Sequence, residues 1–225
     1  MNFNIDNWMK TYLSKLQIIF NSNLLFAGLQ GSYSRGEATE ASDIDAVVIL
    51  KTVTAAEIKK YAEMLDSLSN REKICGFISG KEELMNWERS DLFQFYHDTM
   101  PYFGNIDFLL PLISKNDVQR AVRIGACNIY HMCGHNMIHE KDYKILKTLY
   151  KSAVFTIQAD HFYKTGKYLK QKNELISELN SSELKIIQTG IIIKKEIKIS
   201  QPDFESYSEL LFNWAANLIN EYRIK

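Results

Sequence analysis

The sequence predicts an α+β protein, with a small mixed β-sheet domain over residues 1–115 followed by a helical bundle over 116–225. Three observations lead there. Short apolar runs of strand length, Leu24 to Gly28, Ile44 to Leu50 and Lys73 to Ser79, all fall in the first half and are separated by a helical stripe. From Asn116 onward strand signals cease, and successive segments repeat apolar residues at three-and-four spacing. The 225 residues, 46% of them hydrophobic, are enough for one large core or two modest ones.

The elements follow in order. Asn4 to Phe20 carries Ile5, Trp8, Met9, Tyr12, Leu13, Leu16, Ile19 and Phe20 on one helical face, which should lie against the sheet. Two strands come next, and Thr54 to Leu68 is again helical, with Thr54 as N-cap and Glu57 completing a capping box. Lys73 to Ser79 is a third apolar strand. In the second half, Asp117 to about Glu140 reads as a long helix capped by Asn116 or Asp117, and Tyr143 to Tyr163 as another, stopped by Thr165-Gly166. Lys172 to Glu178, Ser182 to Lys195 and Asp203 to Tyr222 complete a bundle of four or five helices, with Pro202 opening the last. The segment IIIKKEIKIS also admits a strand.

Composition narrows the function. Acidic and basic residues balance at 27 each, which argues against the broad positive surface of a protein that grips duplex DNA or long RNA. A small-molecule or protein acceptor fits better. Cys75, Cys127 and Cys133 form neither an even set nor a CxxC pair, so the expected setting is a reducing cytoplasm. The first residues show no basic region ahead of an apolar block, and no apolar run reaches the length of a membrane span.

The chemistry concentrates in AGLQGSYSRGEATEASDIDAVVIL, Ala27 to Leu50. Gly31-Ser32 ends the first apolar strand where the backbone must turn sharply, a place where a phosphate can sit. In Asp43-Ile44-Asp45, at the start of the second strand, alternation points both carboxylates to one face. Two carboxylates so placed repel each other unless a cation lies between them, and Mg2+, a hard ion bound by oxygen, suits them best. Arg35, close behind the turn, can add a forked contact to a phosphate oxygen. Taken singly, Gly-Ser is an ordinary turn and Asp-x-Asp an ordinary solvated strand end. Joined at this spacing, they resemble the signature of the polymerase-beta-type nucleotidyltransferase superfamily.

That resemblance implies a Gly-Ser turn contacting a nucleoside triphosphate, with Asp43 and Asp45 holding the metal. A third carboxylate is expected on a neighbouring strand, but KICGFIS has none. Asp107, flanked by Ile106 and Phe108, is the best replacement by local pattern, with Asp98 as its rival. The run YKSAVFTIQADHFYKTGKYLKQKNEL is similar to the helical domain of aminoglycoside-type nucleotidyltransferases, and within it Lys151 and Lys167 are candidate contacts to the triphosphate. The order Trp-Glu-Arg-Ser-Asp-Leu also resembles a stretch of the streptomycin-type enzymes. Cys127, His131, His135 and His139 recur every fourth residue, too spread along one helix to converge on a single zinc ion.

The expected function is therefore Mg2+-dependent transfer of a nucleoside monophosphate, AMP from ATP, to a hydroxyl of a small molecule such as an aminoglycoside-like antibiotic. Asp43, Asp45 and Asp107 are its catalytic candidates, and Gly31, Ser32, Arg35, Lys151 and Lys167 its substrate contacts. The alternatives are nucleotidylation of a protein partner, as in the antitoxin-like members, and a non-catalytic nucleotide-binding protein of the same fold. Neither long nucleic acid nor membrane is expected as a partner.

Overall fold

A computed structural model describes residues 3–196 and 198–223. The chain divides after Ile113 into two compact units.

The first unit is built on helix α1 (Ile5–Phe20), strand β1 (Leu24–Leu29), the short helix α2 (Gly31–Ser34), β2 (Ile44–Leu50), α3 (Ala55–Asp66), β3 (Ile74–Gly80), α4 (Lys81–Met85), α5 (Arg89–Asp98) and β4 (Met100–Phe103). A 3-10 turn, Asp107–Leu112, closes it. Among the described residues the strands form one sheet in the order β3-β2-β1-β4. β1 runs antiparallel to both β2 and β4, while β2 and β3 are parallel, with α3 as the crossover.

Alternation along β2 sorts its side chains between two cores. Ile44, Ala46, Val48 and Leu50 pack with Met9, Tyr12 and Leu16 of α1 and Tyr61, Met64 and Leu65 of α3. Val47 and Ile49 face Leu84 of α4, Leu92 of α5 and Leu109 of the 3-10 turn. Fully buried Leu16 and Met9 each contribute about 1.5–3 kcal/mol by leaving water. Between α1 and α3 the hydroxyls of Tyr12 and Tyr61 meet at 2.6 Å. Thr54 caps α3 in a capping box with Glu57, as its sequence predicts.

Two features of this unit depart from expectation. The four-residue β4 contains Pro101 and sits inside an aromatic-rich block, so neither length nor alternation marks it as a strand. The short helices α4 and α5 likewise escape a periodicity reading, because acids and aromatics crowd both faces.

The second unit contains α6 (Lys115–His135), a π-helical turn (Asn136–Glu140), α7 (Tyr143–Thr165), α8 (Lys172–Glu178), α9 (Ser181–Lys195) and α10 (Gln201–Glu221). The cap of α6 is Ser114, and Asp117 serves as the reciprocal acid of its capping box, one turn inside the helix. Gly166, at φ 75°, ends α7 in the left-handed conformation that glycine adopts most readily. The strand alternative for IIIKKEIKIS gives way to helix through Lys195, while Ile197 lies outside the described residues.

α6 packs against α7 and α10. Gly125 makes the first contact possible, since a Cβ there would stand 2.3 Å from Thr156 Oγ1. Beside Gly134, Tyr130 of α6 stacks on Phe212 of α10 with ring centroids 4.3 Å apart. Asn136 is buried and closes the π turn, donating to the Asp142 carbonyl and accepting from its N–H, both at 3.0 Å. The glycine and asparagine within the histidine run therefore have packing roles. α10 is tied to α7 where Tyr222 donates to Asp160 Oδ1 at 2.5 Å and Lys164 bridges Asp160 and Glu221 at 2.9 and 3.0 Å. No described helix is long and apolar enough to cross a membrane.

Candidate active site

The site begins where β1 ends. Gln30, extended, donates its N–H to the Asp45 carbonyl at 2.8 Å, and the chain then enters α2 at Gly31. Gly31 has φ 67°, and a Cβ built on it would lie 1.8 Å from Asp45 Oδ2. Only a residue without a side chain lets the carboxylate come this near, so Gly31 is required for two reasons: its backbone angle and the space above it.

Asp45 is the first acidic residue within β2, half-buried on the face that Val47 and Ile49 share with α5. Asp43, just ahead of the strand, is exposed. Ser32 is half-buried in α2, and its carbonyl accepts the Glu37 N–H at 2.9 Å, which starts the chain back toward β2. Lys73 holds that returning loop, donating to the Glu40 carbonyl at 2.6 Å.

Arg35 is buried. Its Nε lies 3.5 Å from Glu37 Oε2 and its Nη1 3.6 Å from Asp98 Oδ2, with only 9% of the side chain exposed. The sequence offered this guanidinium to phosphate, whereas the fold engages it with two acids.

The candidate third carboxylate lies outside any strand. Asp107 is not in a strand: it opens the 3-10 turn, exposed, and accepts from the Tyr96 hydroxyl at 3.1 Å. The strand ahead of it leads away from Asp45. Met100 pairs with Leu29 beside Gln30, but β4 then runs away from Asp45, and a Cβ on Gly104 would meet the Leu25 carbonyl at 2.1 Å. Leu25 and Gln30 are five residues apart, roughly 16 Å along a strand. Asp98, two residues ahead of β4, lies at the Asp45 end, but its buried carboxylate faces Arg35. On β3 the residue in register with Asp45 is Cys75, an exposed free thiol.

Among the described residues no group of three or more His, Cys, Asp or Glu side chains is arranged to hold a metal ion. Two carboxylates still fit Mg2+, which is commonly bound through one or two of them, with water and phosphate oxygens completing the octahedron. The seat that Gly31 leaves open for Asp45 Oδ2 is the structural observation behind that fit.

The remaining candidates belong to the second unit. Lys151 is exposed on α7, and Lys167 is exposed in the loop that follows. The fourteen residue steps from Lys151 to Thr165 span about 21 Å of helix, so these lysines are not neighbours along α7. Cys127 and His131 are exposed on α6, His135 ends it and His139 lies in the π turn. The rings of His131 and His135 are 6.4 Å apart, and those of His135 and His139 are 4.8 Å apart.

Sequence reasoning missed Gln30 and Thr99. No local signal marks either, because their role arises from a contact between residues 69 apart, Gln30 Nε2 donating to Thr99 Oγ1 at 2.8 Å.

Residues 13–122 match the family model described as "Nucleotidyltransferase domain". The matched region takes in nearly all of the first unit with the start of α6, and the match supports a nucleotidyltransferase domain there and a transferase activity. Among solved structures the chain is similar to the crystal structure of spectinomycin adenyltransferase AAD(9) from Enterococcus faecialis with ATP and spectinomycin. The two share 16% sequence identity with a TM-score of 0.61, covering 96% of this chain and 100% of the other. The likeness establishes a common α+β fold that includes the helical C-terminal region. A sequence search of the curated proteins returns no match.

Proposed function

We propose that the chain transfers AMP from ATP to a hydroxyl group of a small, cationic, aminoglycoside-like acceptor, with Mg2+ held by Asp43 and Asp45. The observation that carries this reading is the seating of the Asp45 carboxylate on Gly31, which joins the two halves of the motif in space. The adenyl donor and acceptor class are supported by the fold shared with AAD(9), whose structure holds ATP and spectinomycin. Exposed Trp87, Glu88 and Asp91 are compatible with a cationic acceptor. The Trp87 ring packs edge-on against Phe77, which is in register with Val47, two residues from Asp45.

In this reading the acceptor oxygen forms a bond to the α-phosphorus of ATP as the bond from that phosphorus to the bridging oxygen breaks. Pyrophosphate leaves with that electron pair, and the hydroxyl proton passes to solvent. Bound Mg2+ supplies charge neutralisation on the phosphate oxygens. Asp43 and Asp45 would hold and orient it, and the backbone at Gly31 could approach the phosphates because glycine carries no side chain of its own. Arg35 acts through Asp98 and Glu37 on the shape of the turn, and Asp107 takes no part. Lys151 and Lys167 remain candidates for substrate contact, tested by alanine substitution and the KM for ATP.

The deciding experiment measures pyrophosphate release from ATP and Mg2+ with a panel that includes spectinomycin and other amino-sugar antibiotics. Turnover should require an acceptor and vanish in the Asp43→Asn, Asp45→Asn double variant. Undiminished turnover in that variant overturns the assignment. Transfer of label from ATP to a co-purifying protein, without turnover on any small acceptor, replaces the antibiotic with a protein substrate.

A further inference from the structure

We propose that Thr99 and Asp98, at the C-terminal end of α5, are positioning residues for the Gly31–Ser34 turn and set its place relative to Asp45. The inference rests on the reading of that turn and Asp45 as the nucleotide site.

A helix of four residues cannot hold itself, since one turn fixes several backbone angles for very few hydrogen bonds. Its position must come from outside. Gln30, immediately before the turn, is bonded in two directions: its main-chain N–H donates to the Asp45 carbonyl at 2.8 Å, and its side-chain amide donates to Thr99 Oγ1 at 2.8 Å and to the Phe95 carbonyl at 3.4 Å. Thr99 is oriented for this task. Its own hydroxyl hydrogen goes to the Phe95 carbonyl at 2.5 Å, which leaves the oxygen lone pairs to accept from Gln30.

The far end of the turn is tied to the same place. Ser34 Oγ lies 3.0 Å from the Asp98 carbonyl and 3.2 Å from that of Gly31, both of which accept from it. Arg35 Nη1 stands 3.6 Å from Asp98 Oδ2, the two side chains being 9% and 8% exposed. Residues 30, 34 and 35 thus bracket Gly31, Ser32 and Tyr33, and all three reach the last residues of α5 or Thr99 after it. The pairing also gives Asp98, a buried acid at the Asp45 end of the sheet, a partner other than a metal ion.

The test compares Thr99→Val, which removes both hydrogen bonds of the threonine hydroxyl, with Thr99→Ser, which keeps them. Steady-state kinetics are read together with amide hydrogen exchange over residues 30–36. Thr99→Val should raise the KM for ATP by about fivefold to thirtyfold, the loss expected for one or two hydrogen bonds. Acceptor KM should stay at the wild-type value and exchange at Gly31–Arg35 should quicken, with Thr99→Ser restoring both. Wild-type exchange and an ATP KM within about twofold of wild type in Thr99→Val overturn the inference. So does a Thr99→Ser variant as impaired as Thr99→Val. If Thr99→Val does not fold, Gln30→Met removes the same link from its other side and carries the same expectation. A wild-type chain that neither binds nor turns over ATP refutes the nucleotide site itself, and the exchange measurement still decides whether α5 holds the turn.

Discussion

Asp45 Oδ2 lies 1.8 Å from the point where a Cβ on Gly31 would stand, so the carboxylate occupies the space that glycine leaves empty. Two residues fourteen positions apart therefore act as one feature. The antiparallel pairing of Leu29 with Ala46 brings them together, and the Gln30 N–H bond to the Asp45 carbonyl fixes the height of one against the other.

Gly31→Ala should push the Asp45 carboxylate aside. The backbone conformation alone costs about 1–2 kcal/mol for a residue with a Cβ, and the displaced acid moves the proposed metal seat. A displacement of about 1 Å can lower a rate by about a hundredfold, so kcat/KM should fall by at least that much while circular dichroism remains native. A melting temperature lowered by several degrees with activity intact would contradict this relationship.

The acids separate by position. Asp43→Asn and Asp45→Asn should each abolish Mg2+-dependent ATP binding in calorimetry, since removing one of two carboxylates leaves too little charge for a hard, strongly hydrated ion. Asp107→Asn, exposed in the 3-10 turn after β4, should bind and turn over like the parent. Chelation of the metal should reproduce the Asp45→Asn phenotype in the unmodified chain.

The Tyr12–Tyr61 pair predicts an alkaline limit to stability. Burial pushes the Tyr61 phenol up to about 12 and Tyr12 well above its ordinary value of 10.0. Both phenols hold their protons longer when folded, so their contribution is complete below pH 10 and is lost as pH rises toward 12. The slope is about 1.4 kcal/mol per pH unit for each phenol. Tyr61→Phe should lose about 1–3 kcal/mol at neutral pH, by leaving the Tyr12 hydroxyl unpaired, and its stability should fall less steeply above pH 10. Urea unfolding at pH 7, 10 and 11 reads both effects.

Gly125→Val tests the packing of the second unit. A side chain at this point on α6 meets Thr156 Oγ1 at 2.3 Å, so α7 must shift or Thr156 must rotate. Overpacking of this kind typically costs about 1–3 kcal/mol. The thermal transition should drop accordingly, whereas Gly134→Ala should be milder, because its nearest foreign atom, Phe212 Cε2, stands at 3.4 Å.

Much of this was legible along the chain because it is local. Ile44–Leu50 is bounded in the structure as its alternation predicts, Thr54 and Glu57 form the expected box, and Gly166 ends α7 where its conformational freedom suggests. Strand periodicity and capping depend on residues within a turn or two of each other, so the order of residues alone determines them. The Gly-Ser and Asp-x-Asp pattern belongs to the same class, being a turn and a strand start at fixed spacing.

What only the tertiary structure decided is which distant groups meet. Nothing local distinguishes Asp98 from Asp107, yet one comes just ahead of β4, where Met100 pairs with Leu29, and the other lies in the turn beyond the strand's far end. Nothing near Arg35 in sequence foretells its pairing with an acid sixty-three residues later, or Gln30's bond to Thr99. Those contacts depend on strand direction and register, which are set by the burial of whole faces rather than by any single segment. Sequence thus names the residues able to do the chemistry, and packing chooses among them.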